Sequence, residues 1–239
     1  MDETAFEACL TGAVENVVKR QADVGIDIVS DGEFGKSISW ANYIHPRMRG
    51  IEFRQGGPPA NARLAPLHFI NSKDRKDFRD FYTEYESQFG IAGMSKNFSP
   101  TQMGFPVVTG PISYSPEQIR SDLARLKAAM AKTSGGRGFM PVVVPVSAAI
   151  GVADAHYRDH ESFLYAIADA LHDEYQAIVD AGFDVQIDDA YIASEYDGMI
   201  PPGTLDDFRR WADAGVAALN HALRGIPEER VRYHICWGS

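Results

Sequence analysis

Ile26-Asp27-Ile28-Val29-Ser30-Asp31-Gly32-Glu33 is the stretch whose reading decides the fold. The β-branched run reads as a short strand. Gly25 before it closes a helix predicted over about residues 4–24, where Phe6, Leu10, Val14, Val17 and Val18 recur at helical spacing. The strand then runs straight into a turn bearing two carboxylates. A dinucleotide-binding fold would need a glycine-rich phosphate loop there, and acids would repel a pyrophosphate. A (β/α)8 barrel places its active-site groups where strands end, which is what this turn resembles.

The pattern returns further along. Strands are predicted at Phe105–Val108, Met140–Val146, Phe183–Ile187 and Val231–Tyr233, with helices over about 74–89, 117–133, 160–180 and from Thr204 onward. Polar groups gather at the strand ends: Asp31 and Glu33, Thr109 and Ser113, Ser147, Asp188 and Asp189, His234 and Cys236. The expected fold is therefore α/β, a TIM-type (β/α)8 barrel forming a single domain over residues 1–239. About five strands are legible where a barrel needs eight, so the barrel is expected to be incomplete, with its first and last strands outside this chain. Residues 34–73 read as a long functional loop with Trp40 and Tyr43 as packing anchors. The stripe Phe78, Phe81, Tyr82, Tyr85 and Phe89 reads as core.

Composition narrows the function classes. The chain is 45% hydrophobic with a formal charge of −10, which excludes a nucleic-acid surface. No apolar run reaches membrane-span length and the N-terminus has no secretory pattern, so a cytoplasmic protein with no membrane partner is expected. The only cysteines are Cys9 and Cys236, too few for a disulfide framework. Cys9, on the apolar side of the first helix, reads as a structural thiol.

His234-Ile235-Cys236 closes the last strand. Residues two apart in a strand face the same side, so imidazole and thiolate can converge on one point. Those are ligands that zinc prefers, while the bland reading is a core histidine beside a buried cysteine. His156 and His160, four apart, read as helix-start polarity.

Asp31-Gly32-Glu33, Gln186-Ile187-Asp188 and His234-Ile235-Cys236 together resemble, in order and approximate separation, the C-terminal catalytic barrel of cobalamin-independent methionine synthases. The short single-barrel members, including epoxyalkane–coenzyme M transferases, are the most similar. The resemblance implies a zinc-dependent transferase of a methyl or alkyl group, with a small-molecule thiol as acceptor and zinc as cofactor. It makes His234 and Cys236 metal ligands, and Glu33 and Asp188 binders of an amino-acid substrate, with Asp188 also catalytic. The family's remaining zinc ligands, a carboxylate and a second cysteine, fall beyond the His-x-Cys strand. This chain departs from the family at Asp188-Asp189-Ala190, where methionine synthases carry Asp-Glu-Pro, and at Trp237. Two other readings are a metal-free decarboxylase barrel of the uroporphyrinogen-decarboxylase type, and a non-catalytic barrel whose open edges only mediate association. Unpaired strand edges make homo-oligomerisation an expected property in any of these.

Overall fold

The computed structural model describes residues 2–36, 40–64, 68, 72–89, 104–133 and 136–236. Helix α1 (Glu3–Asp23) is capped by Asp2 and buries Leu10, Val14 and Val18. It leads through the positive-φ Gly25 into strand β1 (Ile28–Val29), shorter than the expected four-residue run. The side-chain amide of Gln21 on α1 clasps the residue just past β1. It donates to Ser30 O at 2.8 Å and accepts from Ser30 N at 3.0 Å.

The region expected to be a structureless loop is in fact ordered over much of its length. A 3-10 turn (Asn42–Arg47) feeds strand β2 (Met48–Arg54), and β3 (Arg63–Leu64) follows. A bulge between Arg49 and Ile51, at the positive-φ Gly50, breaks the period-2 pattern and so hid β2 in the sequence. Helices α2 (Lys73–Asp77) and α3 (Arg79–Phe89) replace one expected helix. Their aromatic stripe is not core: Phe78 and Phe81 are 62% and 61% exposed, and Phe81 packs only on Tyr82 and Tyr85.

Strand β4 (Phe105–Tyr114) is longer than expected and absorbs Thr109 and Ser113, which are not at a strand end. Helix α4 (Glu117–Met130) follows; Ser134 and Gly135, its expected stop, lie outside the described residues. Strand β5 (Arg137–Val143) ends before Pro145, which opens the short helix α5 (Pro145–Ala149). Ser147 therefore sits in a buried helical turn and not on a strand end. After β6 (Ala153–Asp154) comes α6 (His160–Asp180), as the periodicity predicts, and then β7 (Asp184–Asp189). Helix α7 (Tyr191–Met199) was not legible in the sequence. Helix α8 (Leu205–Ala222) begins at a Thr204–Asp207 capping box. The chain reaches β8 (Val231–Ile235), whose side chains are mostly exposed, so it is an open edge and not the expected buried strand.

The strands form two four-stranded sheets. One is wholly parallel in the order β1-β5-β7-β8, each joined to the next through helices. The other is mixed, β2-β4-β6-β3. An α/β fold with a parallel sheet is thus observed, while the parallel sheet is open among the described residues and not a closed eight-stranded ring. One face of that sheet, with Met140, Val142, Val185 and Ile187, is buried under the helices. On the opposite face, Gln186, Asp188, Arg232 and His234 stand partly or fully exposed. Cys9 is exposed on α1, one position off the buried 10/14/18 face, so it is no structural core thiol.

A buried ion cluster ties the layers together. Arg47 donates to Asp122 on α4 at 2.7 Å and to Glu174 on α6 at 3.0 Å, over the ring of Tyr43. Burial pushes the Glu174 carboxyl above its ordinary pKa, against the pull of Arg47. No helix among the described residues is long and apolar enough to cross a membrane.

Candidate active site

Parallel pairing sets Asp188 of β7 directly opposite His234 of β8. His234 Nδ1 lies 2.9 Å from Asp188 Oδ1. A carboxylate only accepts, so the ring nitrogen facing it carries the proton and the other nitrogen is left as the lone-pair donor. Gln186, two residues earlier on the same face, donates to the same Oδ1 at 2.9 Å. Asp188 is thereby oriented from two sides, and it orients the imidazole in turn. His234 lies within β8, not in a loop after it, which gives it a fixed position.

Cys236 follows at the strand's end. Its N–H donates to Asp189 O at 3.3 Å, continuing the β7–β8 ladder, and its thiol is exposed. Alternation puts it on the face of His234. On the other face, Asp189 accepts from Tyr233 Oη at 2.6 Å and from Ile192 N at 3.1 Å, so this second carboxylate anchors α7 and β8. Burial and that bond raise the Tyr233 pKa.

The turn after β1 is built differently. Glu33 has φ +60°, a left-handed conformation uncommon for a residue other than glycine. Asp31, 5% exposed, holds it there by accepting from Glu33 N at 3.0 Å, and burial raises the Asp31 carboxyl's pKa. The side chain of Glu33 accepts from Lys36 Nζ at 2.9 Å. Lys36 also donates to Pro141 O on β5 at 2.8 Å and lies 4.5 Å from the Tyr43 ring centre. Glu33 is thus fastened to the exposed-face side of the sheet, but its charge is balanced locally. No hydrogen bond or ion pair joins it to Asp188, His234 or Cys236 among the described residues. Lys36 went unnoticed in the sequence, although its position three residues after Glu33 was a usable signal.

The structure therefore brings Asp188 and His234 together, sets Cys236 beside them, and leaves Glu33 apart. As a test of a zinc site, imidazole and thiolate are fitting donors and a carboxylate-held histidine is the usual support for one. A complete set is not present: among the described residues no three His, Cys, Asp or Glu side chains converge as metal ligands. His156 and His160 likewise form no such group. Trp40 packs near Tyr191 of α7, and Trp237 lies outside the described residues.

No family model matches this sequence, and no curated protein matches it significantly. Solved structures do. The chain is similar to a B12-independent methionine synthase from Shewanella sp. W3-18-1, solved in complex with selenomethionine, with a TM-score of 0.66 and 19% identity. All of this chain and 54% of that one are covered. It is also similar to a Listeria monocytogenes protein provisionally assigned as a vitamin-B12-independent methionine synthase, with a TM-score of 0.58 and 17% identity over 95% of this chain and 54% of that one. At such identities the likeness establishes the fold. The chain spans about half the length of these structures.

Proposed function

We propose that this chain carries the metal and substrate corner of a zinc-dependent S-methyl or S-alkyl transferase, resembling cobalamin-independent methionine synthase, on one wall of a (β/α)8-type barrel. The observation that carries the reading is the Asp188–His234 hydrogen bond at the C-terminal ends of adjacent parallel strands, with Cys236 two residues on. His234 and Cys236 would hold the zinc. Bound zinc would lower the pKa of a substrate thiol and keep it a thiolate near neutral pH.

The chain's own residues do the rest. Asp188 Oδ1 fixes the tautomer and angle of His234, with Gln186 steadying the carboxylate. Asp188 Oδ2 then remains to accept from the ammonium group of an amino-acid thiol, a charge-assisted bond. Glu33 offers a second carboxylate for a cationic substrate group, with Lys36 as the counter-ion it must leave. The acceptor sulfur forms its new bond to the donor's methyl or alkyl carbon as the leaving group departs with its electron pair.

Zinc content of the purified chain tests the reading. About one zinc per chain is expected, lost in His234→Ala and Cys236→Ser with the circular dichroism spectrum unchanged. A wild-type chain that takes up no zinc from micromolar solution would remove it. Alkylation assays with homocysteine and with coenzyme M then distinguish the acceptors.

A further inference from the structure

The parallel sheet has two free edges, and each lacks what the other has in excess. At the β8 edge, Tyr233 and Ile235 lie on the helix-covered face yet are 46% and 48% exposed. Helical cover stops at α8, whose Val216 is itself 42% exposed. At the β1 edge the reverse holds. Helix α1 has used its 10/14/18 face on the core, and its opposite face is bare. Ala13, Val17, Arg20 and Val24 from that face, with Ile26 and Phe34, wall a groove of about 350 Å³. One edge is a strand face short of a helix; the other is a helix with an apolar face to spare.

We propose that a second copy of this chain satisfies both edges. In this assembly β8 of one protomer lies beside β1 of its partner, and the partner's α1 covers Tyr233 and Ile235. The two-fold axis repeats the contact, so this head-to-tail arrangement closes after two copies. Two four-stranded parallel sheets then make the eight strands of a closed (β/α) wall, and closure leaves no open edge. The charges agree. Arg20 sits in the groove of α1, and Asp213 lies one turn before Val216 on α8. Both are exposed, and neither forms an ion pair within the chain. Helices that flank adjacent strands are neighbours in such a wall, which sets Arg20 of one copy toward Asp213 of the other. Closure also carries the partner's Glu33, at the C-terminal end of its β1, to the side of His234 and Cys236, where a carboxylate would extend the two-donor set. That last consequence rests on the transferase reading; the assembly does not.

Sedimentation of the full chain tests the assembly without reference to metal or activity. A discrete species of twice 26.3 kDa is expected at micromolar concentration. Arg20→Glu and Asp213→Arg should each weaken it roughly tenfold or more, because the two-fold axis doubles every contact. The combined charge swap should restore it. Ile235→Asp should give monomer. A wild-type chain that stays monomeric at 50 μM (about the upper concentration of such runs), one that forms only open-ended higher oligomers, or single charge variants that dimerise as wild type would each overturn the proposal.

Discussion

His234 Nδ1 and Asp188 Oδ1 meet at 2.9 Å although 46 positions separate the two residues in the chain. Adjacent parallel strands in fixed register bring them opposite each other. The pairing predicts a graded metal phenotype. Asp188→Asn keeps the shape but removes the acceptor charge that holds the imidazole. Zinc affinity should fall about 10- to 100-fold, read by competition with a chromophoric chelator, while folding stability changes little. Unchanged affinity would show that Asp188 does not support the histidine.

Arg47 stands between Asp122 and Glu174, all three side chains at most 6% exposed. Arg47→Met strands two carboxylates in the interior and should cost about 3–5 kcal/mol in urea unfolding. Arg54→Met, which breaks a pair to Glu52 at the surface, should cost less than about 1 kcal/mol. Equal losses would mean that the buried cluster has no special role.

His45 is 2% exposed and its Nε2 bonds Ala148 O at 2.8 Å. Burial lowers its pKa below the ordinary 6.5, so the folded state prefers the neutral ring. Its contribution is present above pH 6.5 and is lost as the pH falls through the lowered folded value. His45→Gln, which can still donate to Ala148 O, should flatten the fall in urea midpoint between about pH 7 and pH 5. A parallel fall in both proteins would exclude His45 as the source.

Gly50 sits at the bulge in β2 with φ +86°, and a Cβ there would meet the Pro111 and Gly110 carbonyls of β4. Backbone cannot yield as a side-chain tip can. Gly50→Ala should destabilise by about 1–3 kcal/mol, whereas Gly56→Ala, in open space, should show only the milder cost of its positive φ.

What the sequence revealed follows from which signals are local. Helix α6 and the cap at Thr204 were legible because their periodicity and capping lie within a few residues of each other. Strand β2 was not, since the Gly50 bulge shifts its apolar residues from one face to the other. Helix α7 is short and follows directly on β7, leaving no boundary signal. In the site, the residue types were legible and their pairing was not. Spacing indicated that His234 and Cys236 share a face, but only strand register makes Asp188 the partner of His234 and leaves Glu33 to Lys36. The aromatic stripe over Phe78 and Phe81 misled because helical spacing marks a face without saying what covers it.

The Gln21 amide has a consequence for how this protein meets others. By taking both backbone groups of Ser30, it imitates the strand that would otherwise lie there. Only Ile28 and Val29 are left for a newcomer, too short a rail for backbone bonding alone to hold one. A stranger with a β-prone segment therefore gains little at this border, and stacking of the amyloid kind has no template to copy. Admission depends on matching side chains along α1 instead, a selective and reversible form of docking.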